Sequence, residues 1–136
     1  MKRIIAAALS LLSLLFPPSA IAQVVNPQPP VQPAQVDERE LIVVAARALE
    51  DRKYKLALRV ANNVTDLFPD YATGYLYRAI ALYKLGSHDA ARVAFNRAKD
   101  LYKRQLETDR ITPQEEKEAA LGLETAELHL KLLMKI

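Results

Sequence analysis

The chain has 136 residues, with 19 Lys and Arg against 16 Asp and Glu, three glycines and no cysteine. The missing cysteine excludes a disulfide framework, a thiolate metal ligand and a cysteine-borne lipid. So few glycines, with β-branched residues not set in alternating runs, argue against an all-β domain.

Residues 1–22 read as a secretory signal peptide: Lys2 and Arg3 precede an apolar run from Ile4 to Phe16, then Pro17, Pro18 and the tripeptide Ala20, Ile21, Ala22. The apolar run falls well short of the ~20 residues that cross a hydrocarbon layer as a helix. Cleavage before Gln23 is expected, the alternative being an uncleaved anchor. Without Lys2 and Arg3, 17 basic groups face 16 acidic ones, a net charge of +1. Nucleic-acid binding then has no electrostatic basis, and interspersed charges of both signs read as solvated helix faces. Residues 23–36, QVVNPQPPVQPAQV, carry four prolines and read as a semi-rigid polyproline linker.

Residues 37–136 read as an all-α domain of one core. Asp37 caps a first helix, with Glu40 placed for a capping box, and Leu41, Val44, Ala45, Ala48 and Leu49 recur at the spacing of one face. A second helix over 54–67 buries Leu56, Ala57, Val60, Ala61 and Val64 and stops before Pro69. A third spans about 72–85, with Gly86 as a left-handed stop. Ser87 caps a fourth helix that extends to about Leu106. Thr112, Pro113 and Glu115 supply a cap, a first-turn proline and a box partner for a last helix over about 112–135.

An offset of 34 residues superposes the first helix pair on the second: Leu41 on Tyr75, Ala45 on Ala79, Ala57 on Ala91, Val64 on Ala98. With Tyr75, Ala79, Leu82, Gly86, Ala91, Phe95 and Ala98 in order, and Tyr54 and Pro69 in the first unit, residues 38 to about 103 resemble the tetratricopeptide repeat (TPR) family. The resemblance implies two antiparallel helical hairpins stacked as a right-handed solenoid, with Ala45 facing Ala57 and Ala79 facing Ala91. It departs from the family at Ala48 and Ala61, where bulkier residues are usual, at Arg78, and in lacking a closing proline in the second unit.

Two units are few for a solenoid, so the last helix is expected to cap it. Ala119, Leu123, Ala126, Leu130 and Leu133 form a stripe suited to docking on the fourth helix. Leu121, Leu128 and Leu132 fall on nearly the opposite side and form a candidate second interface.

By resemblance, a partner peptide lies along the face built by the first helix of each unit. Here that face is Ile42, Val43, Ala46, Leu49, Leu76, Tyr77, Ile80 and Tyr83. It is apolar and aromatic, and the Lys and Asn pattern with which some family members clamp a terminal carboxylate is absent. The alternative is that the last helix covers these residues. His88 and His129 lie on different helices without triad or metal spacing, so an enzyme is not expected and no cofactor or metal is implied. His88 is expected to pack at an interhelix turn and His129 to lie on the surface. The function expected is that of an extracytoplasmic protein-interaction module, in a bacterial periplasm, a lumen or outside the cell, acting as an adaptor, scaffold or assembly factor. The alternative is a structural homo-oligomer using the groove and the last helix's leucines.

Overall fold

The computed structural model describes residues 35–136, and the proposed signal peptide with nearly all of the proline-rich linker lies outside them. Within them the chain forms five helices and no strand: α1 (Glu38–Glu50), α2 (Tyr54–Leu67), α3 (Ala72–Lys84), α4 (His88–Leu106) and α5 (Pro113–Met134). Each helix packs on the next in sequence, and α3 also touches α1 and α5, which do not touch each other. The described residues hold no helix long and apolar enough to cross a membrane.

The turns between α1 and α2 and between α3 and α4 are the same structure repeated 34 residues on. Lys53 N–H reaches Ala48 C=O at 2.7 Å and Arg52 N–H reaches Leu49 C=O at 3.0 Å; Ser87 N–H reaches Leu82 C=O at 2.9 Å and Gly86 N–H reaches Tyr83 C=O at 3.1 Å. These paired bonds satisfy the last free carbonyls of each helix and require a left-handed residue between them. Gly86 provides it at φ 81°, and Arg52, its equivalent, adopts φ 58° despite its side chain. The 34-residue period is thus present in the backbone as well as in the side chains. A helical repeat architecture is compatible with it.

The aligned pairs Ala45 and Ala79, Ala57 and Ala91, and Val64 and Ala98 are all fully buried. Ala79 and Ala91 share one cluster, as expected of facing residues. In the first hairpin the pairing is shifted by a turn: Ala45 packs with Ile42 and Val64, and Ala57 with Ala48 and Ala81. The small side chain at Ala48 permits this, because α2 can approach where a bulkier residue would hold it off. Val44, expected on the buried face, is about half exposed.

The caps follow the sequence with two exceptions. Asp37 accepts a bond from Arg39 N–H at 2.9 Å, but no reciprocal bond from Glu40 completes a box. Ser87 precedes α4 without a side-chain cap bond. At α5 the box is complete: the Thr112 hydroxyl accepts from Glu115 N–H at 3.3 Å, and Glu115 accepts from Thr112 N–H at 2.9 Å. The bonds that the Glu115 carboxylate accepts, from the Thr112 N–H and from the Thr112 hydroxyl at 2.8 Å, hold it below its ordinary range.

The end of α4 sets up everything that follows. Pro69 stops α2, and Phe68 before it has left the helical conformation, at φ −129° and ψ 74°. At the equivalent position α4 has Lys103, so that helix continues to Leu106 and Tyr102 stays helical. Tyr102 is buried, and its ring tip lies against Gly122 of α5. Any side chain at 122 would collide there. The stripe of Ala119, Ala126 and Leu133 is buried with Leu123 and Leu130 packed beside it, as the sequence implies, and α5 docks on α4 along it.

Candidate functional site: a groove across three helices

Because α1 and α5 flank α3 without meeting, a groove opens over α3 with a cavity volume of about 450 Å³. From α1 come Arg39, Ile42 and Val43; from α3, with the residue before it, Tyr71, Thr73, Leu76, Tyr77 and Ile80. Tyr102 of α4 and Glu118, Leu121, Gly122 and Thr125 of α5 complete the lining. The last helix therefore forms a wall of the groove. It does not lie along α1.

Of the residues expected on the binding face, the structure brings Ile42, Leu76, Tyr77 and Ile80 together, with Leu121 opposite them on α5. Ile42 and Leu76 form a buried floor, and Tyr77 is half-buried against the cluster beneath. Ala46 and Leu49 lie further along α1, outside the cavity lining, and Leu49 packs beside Ala48 and Ala57. Tyr83 also lies outside it, held by two edge-to-face contacts at 5.6 Å, one to His88 and one to His129.

His129 is not the surface residue that its position in the sequence suggests. Its ring stacks on Phe95 at 4.8 Å, and its Nδ1 lies 2.8 Å from the Thr125 carbonyl oxygen. The reason is that α5 docks with this residue toward α4, where the ring closes the core beside Phe95. His88 packs at the interhelix turn as expected. Leu121, Leu128 and Leu132 are all exposed, at 64%, 56% and 40%, and only Leu121 belongs to the groove.

The lining contributed by Arg39, Tyr71, Thr73, Tyr102, Glu118 and Thr125 was not foreseen from the sequence. One available signal was Gly122, a costly residue inside a 22-residue helix, which marks a close approach. The Tyr102 hydroxyl shares a 3.0 Å hydrogen bond with the Thr73 hydroxyl. Burial pushes the Tyr102 phenol up to about 12, against the opposing effect of that bond. Burial likewise raises Tyr71, with Glu38 and Glu118 adding to the rise and Arg39 opposing it. Both phenols are neutral donors at physiological pH.

The groove is polar at one end. A hollow of about 260 Å³ continues from it through Arg39, Tyr71, Thr73, Tyr102 and Glu118, and is lined also by Glu38, Asp70, Gln105 and Glu115. The starts of α1, α3 and α5 gather here, since alternate helices run in the same direction. Among the described residues no group of three or more His, Asp or Glu side chains is placed to hold a metal ion. No protein-family model matches the chain, and no curated protein matches it.

Proposed function

We propose that this protein is an exported protein-interaction module that holds a protein or peptide partner in the groove between α1, α3 and α5. The observation that carries this reading is the groove itself. An apolar floor of Ile42, Leu76 and Ile80 is bordered by Tyr77 and Leu121 and ringed by hydrogen-bonding side chains. An apolar centre with a polar rim is how protein partners are gripped, with aromatic residues as anchors. The repeat spacing and the duplicated turn support a TPR-like arrangement of two hairpins capped by α5, and in such an arrangement this is the concave face. The leader over residues 1–22 supports action outside the cytoplasm, in a bacterial periplasm, a lumen or the extracellular space. An adaptor, scaffold or assembly role fits such a surface better than catalysis, because the histidines are engaged in aromatic packing.

The exposed Leu128 and Leu132, beyond the groove on α5 and on the same side of it as Leu121, favour a second reading in which copies of the chain associate through that helix. Affinity capture from the native host, using the parent chain and a Tyr77→Ala, Leu121→Arg variant, tests the groove. A partner retained by the parent and lost by the variant, with helicity unchanged, is expected. Equal capture by both would remove the groove from the account. Size measurement on dilution tests self-association, which predicts a dimer that resists dilution.

A further inference from the structure

The groove's two ends differ in charge as well as polarity, and this difference specifies a ligand. Four carboxylates, from Glu38, Asp70, Glu115 and Glu118, line the polar end against one guanidinium, Arg39. Some of that charge is already balanced. Arg97 stands 4.0 Å from Asp70. The starts of α1, α3 and α5 contribute roughly half a positive charge each, and the end of α4 roughly half a negative one. Arg104 also borders Asp70, so Asp70 is compensated from two sides. The negative character of the mouth rests on Glu38 and Glu118, neither of which is in an ion pair among the described residues.

Resting on the groove as the binding site, we propose that its occupant is an extended peptide with apolar side chains at alternate positions, i and i+2, over Leu76 and Ile80 and a lysine or arginine at the Glu38 and Glu118 end. The length follows from α3. From Tyr71 to Ile80 the floor runs about 14 Å at the rise of an α-helix. An extended chain advances about 3.3 Å per residue, so four or five residues fill it. The phenols of Tyr71 and Tyr102, kept protonated by burial, and the Thr73 hydroxyl border the junction of the two ends. One hydrogen is engaged in the Thr73–Tyr102 bond, so Tyr71 and one hydroxyl of that pair can donate to the carbonyls of a peptide backbone there. An acidic segment would meet the mouth with like charge, and a wholly apolar one would leave the carboxylates without a partner.

The test is selection of a random linear hexapeptide display library on the full chain, followed by binding of the enriched peptides to variants confirmed as folded by circular dichroism. Enrichment of Lys or Arg beside at least two apolar residues is expected. Binding should be lost in Leu121→Arg, whose site is exposed and tolerant. In a Glu38→Lys, Glu118→Lys variant, exchange of the basic residue for Glu should change from about fivefold harmful to favourable, the upper scale of a surface ion pair. Peptides that need the groove but show no basic preference would overturn this inference and leave the groove intact. No enrichment, or binding indifferent to Leu121→Arg, would overturn both.

Discussion

Gly122→Ala isolates the contact on which the third wall of the groove depends. A Cβ at 122 would lie 2.3 Å from Tyr102 Cζ and 2.6 Å from both Cε2 and Oη. No such separation is tolerated, so the ring must move. These atoms are the far end of a side chain that is 3% exposed and hydrogen-bonded to Thr73, so the ring can yield only by breaking that bond and shifting toward the groove it lines. Helix propensity favours alanine by about 1 kcal/mol. Overpacking costs about 1–3 kcal/mol, and loss of the Thr73 bond about 1 kcal/mol more. The balance is a destabilisation of about 1–3 kcal/mol, or roughly 5–20 °C in melting temperature for a domain of this size. Thermal melting followed by circular dichroism provides the assay, with Gly122→Ala measured alone and in a Tyr102→Leu background. Leucine removes the ring tip, so alanine at 122 should cost distinctly less there. A Gly122→Ala protein melting at or above the parent would show that propensity wins and the close approach of α4 and α5 is absent.

Arg52→Gly should stabilise the domain by up to about 1 kcal/mol by relieving a left-handed residue that bears a side chain, while Gly86→Arg should destabilise it; denaturant melts check both. Ala91→Asp should unfold the domain, since a carboxylate in the tight α3–α4 contact costs several kcal/mol, visible as lost helicity. Tyr102 titrates at about 12 when folded and near 10.0 when unfolded, so its neutral form favours the native state. Stability should hold below pH 10 and fall by up to about 3 kcal/mol as the pH rises toward 12, with Tyr102→Phe flattening that decline in alkaline melts. Glu115 shows the opposite sign: its lowered carboxyl stabilises α5 above pH 4.5, and the benefit disappears on acidification through its folded value. Glu115→Gln should abolish that acid dependence, whereas Thr112→Ala, which removes the hydroxyl but keeps the backbone N–H bond, should only reduce it.

The helices and their limits were legible because their signals are local. Pro69, Gly86 and the Thr112 box each act within one turn, and the structure places helix ends at all three. The 34-residue spacing of alanines also predicts which residues are buried, since burial follows the helix period. Which residues face one another is set by how closely two helices approach, and Ala48 altered that locally. The path of α5 was the least legible. Its docking stripe was legible in the sequence, but the close fit of Gly122 on Tyr102, a long-range contact, was not. For the same reason Tyr83, expected on the binding face, and His129, expected on the surface, meet in an aromatic cluster with Phe95. The polar mouth was hidden because its carboxylates come from segments far apart in sequence, at Glu38, Asp70 and Glu115 to Glu118, and Glu115 was already accounted for as a capping-box partner.

A photo-crosslinking amino acid placed at Leu121, and separately at Val93 as a control, tests the binding role of the groove most directly. Both positions are exposed, at 64% and 72%, but only Leu121 borders the groove. Irradiation in the native host should give a discrete adduct from position 121 that position 93 does not give. Equal labelling from both positions, or none from 121, would contradict a partner held between α1, α3 and α5.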